Sequence, residues 1–392
     1  MTHAPLRDPA PSGRCSAGTG GRAALLSGSL GGGHDALAAA CAALLEEAGT
    51  TTLTVDVIAS LGRDDGVARA AGWVFRRLLS SAPAYDAFHF SHLRTGSALA
   101  VAAERAGVAR ATPRVHRALD RVLGPGPLDL AVSVFATGAG VAARSRAAGR
   151  IGASVVFVPD CTAHRMWVHD PTDLFLVTSP LGAASVRRYR PDAPVEVLDP
   201  PLRPGFSRPP SRPAARESLG LPEDAEVVAV MGGAWGLGPV AQLAATLADQ
   251  GRHVLAVAGR NQELLERLRS VSGTRPRLRP VGFSPAVAEI MAAADLVVTT
   301  AGMTCFEARA VGRGLVLLDV VPGHGRENLA HELERGGAVV SQPDAATLSR
   351  VVGRCLSSAE MRDPPPADAA AAGRHFLEVL DGHGLLPRGA RR

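Results

Sequence analysis

Apolar residues recur along the chain in short unbroken runs, each followed by a turn and then by a stretch of helical period. In the first half the runs at 23–27, 53–58, 130–135, 154–158 and 174–177 predict strands. Asp35 opens a helix that carries Leu37, Cys41, Leu44 and Leu45 on one face and stops at Gly49. In the second half strands are predicted at 227–231, 254–258, 296–299 and 315–319, and helices at 239–249, 261–270, 285–293, 304–312 and 326–335. Strands that are apolar throughout, separated by helices, belong to parallel sheets covered on both faces. Between the halves, residues 199–224 are rich in proline and arginine, show no sustained period and predict a linker. The fold class is therefore α/β, with two doubly wound parallel-sheet domains. The predicted layout is a disordered lead at 1–22, a first domain at 23–198, the linker, a second domain at 225–380 and a tail at 381–392. Such proteins hold ligands in the crevice beyond the carboxyl ends of their strands.

Composition removes several classes of function. With 46% hydrophobic and 20% charged residues, the 392-residue chain can bury large cores and is not globally disordered. All 42 basic residues are arginine, so mechanisms built on a Walker lysine, a Schiff base or a kinase lysine are excluded. The net charge of +5 is not gathered into a basic arm, and nucleic acid is not an expected partner. Cys15, Cys41, Cys161, Cys305 and Cys355 lack metal or disulfide spacing and read as reduced thiols. No apolar run has the length of a transmembrane helix, and residues 1–22 lack the apolar centre of a signal peptide. The expected location is cytoplasmic, with at most peripheral contact with a membrane.

Four turns carry chemistry. The loop 28–34 is glycine-rich, including Gly31 and Gly33, and ends in His34 at the mouth of a helix. A histidine there can serve as a general base near neutral pH or merely cap the helix. The turn through Gly232 and Gly233 could cradle a diphosphate through its N–H groups but lacks G-x-G-x-x-G spacing, and Trp235 is expected at the inter-domain face. At Gly302, Met303 and Thr304 a helix begins with free N–H groups, a natural diphosphate site in a chain without lysine. Glu307, one turn on, can accept from a ribose diol or be an ordinary first-turn acid, and the residues alone do not choose. In the fourth turn, His324, Glu327 and Asn328 aim polar groups at the same mouth. No H-E-x-x-H, D-x-D or metal-spaced Cys/His set is present, so no metal and no cofactor is expected.

Residues 66–94 break the alternation. Trp73, Phe75, Leu78 and Leu79 stand beside Arg76 and Arg77, followed by Pro83, Tyr85, Phe88 and Phe90. This is either a core helix with a solvated arginine edge or an interfacial helix seated on anionic lipid.

Taken in order, these elements resemble the GT-B glycosyltransferases of the monogalactosyldiacylglycerol synthase and processive diacylglycerol glucosyltransferase family. That family is related to the N-acetylglucosaminyltransferase of peptidoglycan synthesis. Residues 28–34 look like the family's S-x-G-x-G-H loop, and 159–169, with Asp160, His164 and Trp167, look like its T-D-x-x-x-H-x-x-W segment. Residues 219–222 followed by 231–233 match the entry to its nucleotide half, Gly259-Arg260-Asn261 its G-R-N turn, and Gly282-Phe283 its base-contacting pair. The resemblance spans about residues 23–340 and implies two Rossmann-like domains facing a cleft.

By this resemblance the second domain binds a nucleotide sugar, most often UDP-linked, through Gly232, Gly233, Arg260, Asn261, Gly302, Met303 and Thr304. Glu307 would hold the ribose, Gly282 and Phe283 the base, and His324, Glu327 and Asn328 the sugar. Gly31, Gly33, His164 and Trp167 would line the acceptor side. The implied reaction is an inverting, metal-independent hexosyl transfer in which His34, or in its place Asp160, deprotonates an acceptor hydroxyl. The acceptor would be a diacylglycerol-like or cell-envelope lipid at an anionic membrane surface. Ala301 stands where the family commonly has glycine, and His324 where it often has glutamine, which leaves the donor sugar open. The alternatives are a soluble small-molecule acceptor, a nucleotide-sugar 2-epimerase and a non-catalytic nucleotide-sugar-binding protein.

Overall fold

Every apolar run predicted in the first half becomes a strand of one parallel sheet in the computed structural model, which describes residues 20–28, 32–61, 81–232, 238–387 and 389. Its strands are β1 (Arg22–Ser27), β2 (Thr51–Asp56), β3 (Leu128–Ser133), β4 (Ile151–Val158), β5 (Leu174–Val177) and β6 (Val195–Val197), in the order β2-β1-β3-β4-β5-β6. The helices on it are α1 (Gly32–Glu47), α2 (Val57–Ser60), α3 (Ala82–Phe88), α4 (Ala98–Leu123), α5 (Ala136–Ala147) and α6 (Pro180–Tyr189). A π-helical turn, His89–Leu93, continues α3. The strand predicted at 53–58 ends two residues early, because the Asp56 carboxylate accepts from the Ala59 N–H at 2.9 Å and starts α2.

The second sheet contains β7 (Val227–Met231), β8 (His253–Gly259), β9 (Leu278–Gly282), β10 (Leu296–Thr299), β11 (Gly314–Leu318) and β12 (Ala338–Ser341), in the order β12-β11-β10-β7-β8-β9. Around it lie α7 (Arg212–Ser218), α8 (Val240–Asp249), α9 (Gln262–Ser272), α10 (Val287–Ala293), α11 (Met303–Ala310), α12 (His324–Arg335), α13 (Ala345–Leu356), α14 (Ala359–Arg362) and α15 (Ala369–Gly382). All strand pairs are parallel. The strand order reverses between β1 and β3 in one sheet and between β7 and β10 in the other. Those two switch points are where an open α/β sheet presents its crevice.

Two boundaries differ from the expectation. Residues 204–206 of the supposed linker form a 3-10 turn and 212–218 form α7, so this segment is built into the second domain. Ser211 caps α7, and Arg216 donates to Asp295 at 2.9 Å and to the Ala293 carbonyl at 3.0 Å. The end of the chain does not stay with the second domain either. α15 returns to the first: Phe376 stacks on Phe157 of β4 with ring centroids 6.4 Å apart, and His383 reaches Glu196 of β6 at 3.0 Å. Burying Phe376 and Leu380 completely drives this crossing, which seats α15 on the first sheet. The expected lead at 1–22 falls largely outside the described residues, although Arg22 already belongs to β1.

Candidate active site

The two switch points face each other. Beyond β1, His34 stands in the first turn of α1, and its Nδ1 lies 2.7 Å from the Val134 carbonyl at the end of β3. A carbonyl only accepts, so in the neutral ring Nδ1 carries the proton and Nε2 keeps the lone pair. Phe135 meets the His34 ring edge-on at 5.4 Å and Trp167 lies 6.3 Å away. Burial lowers the His34 pKa, with the Asp160 carboxylate opposing it. Opposite, Gly33 approaches Met303 so closely that a Cβ on it would stand 3.2 Å from the Met303 side chain. Gly33 and Met303 thus bring the first turns of α1 and α11 into contact, one from each domain. No side-chain hydrogen bond caps α11, and a Cβ on Gly302 would meet nothing within 4 Å.

The donor-side residues divide. Arg260 lies over the Phe283 ring at 4.3 Å, forming one edge with it, and reaches Asp35 of α1 at 3.6 Å; Phe283 is 60% exposed. Gly232 is buried at the end of β7, and Gly282 closes β9. Thr304 is half-buried in the first turn of α11. The Asn261 side-chain oxygen Oδ1 caps α9, where it accepts from the Leu264 N–H at 2.9 Å. Glu307 is buried, and its Oε1 accepts from Arg203 at 2.6 Å. Burial raises its pKa, and Arg203 counters that. Gly31, Gly233, Trp235 and the stretch from Trp73 to Leu79 lie outside the described residues.

The fourth turn behaves differently from the expectation. Glu327 and Asn328, expected along the donor sugar, direct their side chains into the first domain. Glu327 Oε2 accepts from Thr162 Oγ1 at 2.8 Å and faces His89 Nε2 at 3.2 Å, while Arg94 approaches Oε1 at 3.4 Å. Asn328 bonds Asp160 and the Cys161 N–H. His324 Nδ1 and the Tyr85 hydroxyl share a hydrogen bond of 3.2 Å. Gly323, with φ of 63°, donates its N–H to Asp86 at 2.6 Å; a Cβ there would collide with Tyr85 and His89.

Asp160 sits past the end of β4. Burial would raise its pKa, but His324, His34 and the Asn328 amide outweigh that and hold the carboxyl below its ordinary range. His164, facing His89 and Trp167, is depressed to about 3, chiefly by burial and then by the charge of His89. His164 Nδ1 and Trp167 Nε1 are buried without hydrogen-bond partners.

Sequence reasoning missed Tyr85, Asp86, His89, Arg94, Thr162 and Arg203. The first four lie in the stretch read as core helix or membrane helix, whose described part, 81–94, packs against Gly323 and the first turn of α12. The dense run of histidine and tyrosine at 85–92 was the available signal. Among the described residues, no group of three or more His, Cys, Asp or Glu side chains could hold a metal ion, and no helix is long and apolar enough to cross a membrane.

Comparison with known proteins agrees with this architecture. The model for the glycosyltransferase family 28 C-terminal domain matches residues 227–375. A probable chloroplastic monogalactosyldiacylglycerol synthase of Glycine max is 28% identical over 187 residues, 45% of this chain and 35% of the relative. A processive diacylglycerol beta-glucosyltransferase of Bacillus pumilus is 30% identical over 197 residues, 49% of this chain and 51% of the relative. The chain therefore spans about half, or less, of the curated relatives it matches. Among solved structures, Acinetobacter baumannii MurG superposes with a TM-score of 0.56 at 14% identity, covering 92% of this chain and 99% of its own. A UDP-N-acetylglucosamine 2-epimerase does so at 0.57 and 12%, covering 93% and 97%. These last two show the fold alone, which transferase and epimerase share. Residues 227–375 thus match the glycosyltransferase family 28 C-terminal domain, and the whole chain has a two-domain fold of the GT-B kind.

Proposed function

We propose that this chain is an inverting, metal-independent hexosyltransferase that moves a sugar from a UDP-linked donor to a hydroxyl of a lipid acceptor. The observation that carries the reading is His34: its Nδ1 is tied to the Val134 carbonyl, and its first turn touches the open N-terminus of α11. Nε2 is then free to take a proton from an acceptor hydroxyl, which attacks the anomeric carbon as UDP leaves. The leaving diphosphate is stabilised by the N–H groups of Met303 and Thr304 and by Arg260, without a metal. His164 Nδ1 and Trp167 Nε1, both unpartnered, offer polar contacts to a hydroxylated acceptor. The lipid class rests on the relatives, whose printed activities concern diacylglycerol, and on the exposed Phe90 and Leu99 of the first domain. The protein would work at the cytoplasmic face of a membrane as a peripheral enzyme.

The test is incubation with UDP-glucose, UDP-galactose and UDP-N-acetylglucosamine, with and without diacylglycerol in anionic vesicles, following UDP release and glycolipid. Glycolipid is the expected product. Transfer to soluble aglycones alone would overturn the lipid acceptor, a 2-epimer without acceptor would make this an epimerase, and binding without turnover would make it a non-catalytic binder. Cosedimentation with anionic vesicles should weaken at high salt and be lost in Arg76→Glu with Arg77→Glu. Absence of vesicle binding at low salt would remove the membrane while leaving sugar transfer intact.

A further inference from the structure

The first turn of α12 reaches across the cleft instead of along it. Asn328 holds two neighbouring atoms of the loop after β4: its Nδ2 donates to Asp160 Oδ1 at 2.8 Å, and its Oδ1 accepts from the Cys161 N–H at 2.9 Å. The amide is therefore used on both sides, and turning it over would set two donors against each other and two acceptors against each other. Asn328 is buried, and the Asp160 carbonyl is separately held by Thr178 Oγ1 at 3.4 Å. With Oδ1 held by Asn328, the other carboxyl oxygen of Asp160 is free of it. Glu327, bonded to Thr162 and His89, pins the same turn to the first domain.

We propose that Asn328 is a positioning residue for Asp160, supplied by the second domain to fix a carboxylate of the first beside His34. The proposal rests on the transferase reading for its catalytic meaning, but its geometry does not. Asp160 held in this way faces His34 from α1, His324 from α12, Tyr85 from α3, and His164 and Cys161 from its own loop. In the proposed reaction it would steady the imidazolium that forms when His34 takes the acceptor proton, and it needs a fixed place to do so. With its amide used on both sides, Asn328 acts through Asp160.

The experiment uses the full chain labelled with carboxyl-13C aspartate, the Asp160 signal being identified by its loss in Asp160→Asn. In the wild-type protein this signal should titrate below the ordinary aspartate range. Asn328→Asp sets a second carboxylate against the first, so the Asp160 midpoint should rise by about one pH unit or more. Asn328→Ala, which removes both amide contacts without adding a charge, should move it in the same direction by less. Thr162→Ala breaks a neighbouring cross-domain bond and should leave the midpoint in place. In transfer from UDP-glucose, Asn328→Ala should lower kcat by roughly 10–100-fold with little change in KM.

An unmoved Asp160 signal in both Asn328 variants, each folded by circular dichroism, overturns the proposal. So does a shift in Thr162→Ala as large as that in Asn328→Ala, because general loosening would then explain both. If the signal moves as expected while the wild-type protein transfers no sugar, the positioning stands and the transferase reading alone is lost.

Discussion

His34 can act as a base only while its ring is neutral and its Nε2 unengaged, and its surroundings favour both conditions. The Val134 carbonyl fixes the tautomer, and burial depresses the pKa below the ordinary histidine value. His34→Ala should lower turnover by about 10²–10⁴-fold, with UDP affinity near wild type by calorimetry. Protonation removes the base as pH falls, and the depressed pKa moves that loss downward. The acid limb of kcat/KM should therefore lie below pH 6.5, the ordinary value for histidine. A limb above that value would assign the base to another group. Glu307 is the second test at this scale. Its Oε1 is held by Arg203, so any ribose contact falls to the other oxygen or shares this one. Glu307→Gln should weaken UDP binding by roughly 1–3 kcal/mol through the lost charge-assisted bonds. Unchanged affinity would leave Glu307 as a structural partner of Arg203.

α7 shows how an element too short to stand alone is held. Its seven residues, Arg212–Ser218, carry two arginines one turn apart. Both reach the completely buried Asp295, Arg216 at 2.9 Å and Arg212 at 3.6 Å, and Arg362 of α14 adds a third contact at 3.0 Å. Asp295 also accepts from the Val227 N–H at 2.8 Å, so one carboxylate ties α7, α14 and the first strand of the second sheet together. Removing it leaves the buried Arg216 guanidinium without its counter-charge. Asp295→Ala should cost about 3–5 kcal/mol in urea denaturation. A cost near that of an ordinary surface change would mean that packing, not this carboxylate, holds the segment after β6.

At the scale of the molecule, two of the features that join the domains are α15, which crosses back to the first, and the start of α12, with its bonds to Asp160, Thr162 and His89. Phe376→Ala would empty a completely buried site against Phe157 and should cost about 3–5 kcal/mol, read from the thermal and urea transitions. The α12 contacts depend on pH. Asp160 and Glu327 are both held below their ordinary pKa values, although burial, the largest single influence on each, pushes the other way. A carboxyl depressed in the folded state contributes stability above its unfolded pKa and loses it as pH falls through the folded one. Melting temperature should therefore hold from neutral pH down to the carboxylate range and fall below it. The fall should be smaller in Glu327→Gln, which has already lost one charge. Glu307, raised by burial, carries the opposite sign: its contribution is present below its unfolded pKa and fades as pH rises. A melting profile identical in wild type and Glu327→Gln would show that this carboxylate is not coupled to folding.

The pattern of apolar runs was enough to place eight of the twelve strands outright, those buried on both faces, together with the expectation that ligands lie beyond their carboxyl ends. β2 was recognised with its end displaced. The strands that escaped, β6, β9 and β12, are all at sheet edges, where one side of the ladder is open and a sequence need not be uniformly apolar. α4, one of the longest helices, also went unread; it lies at the surface with arginine throughout and carries Pro113 within it. Spacing along the chain placed His34 and Met303 at helix starts, because a strand, a glycine turn and a helix are contiguous. Which side chains meet across the cleft is another matter. Asn328 and Asp160 are 168 residues apart, and Tyr85 and His324 are 239 apart, so no local period records their contact. Local preference fixes where each strand ends and each helix begins. The burial of Phe376 and the pairing of charges such as Glu327 and Asp295 are settled only when the two sheets and their crossing helix pack together, because those energies exist only between segments distant in sequence.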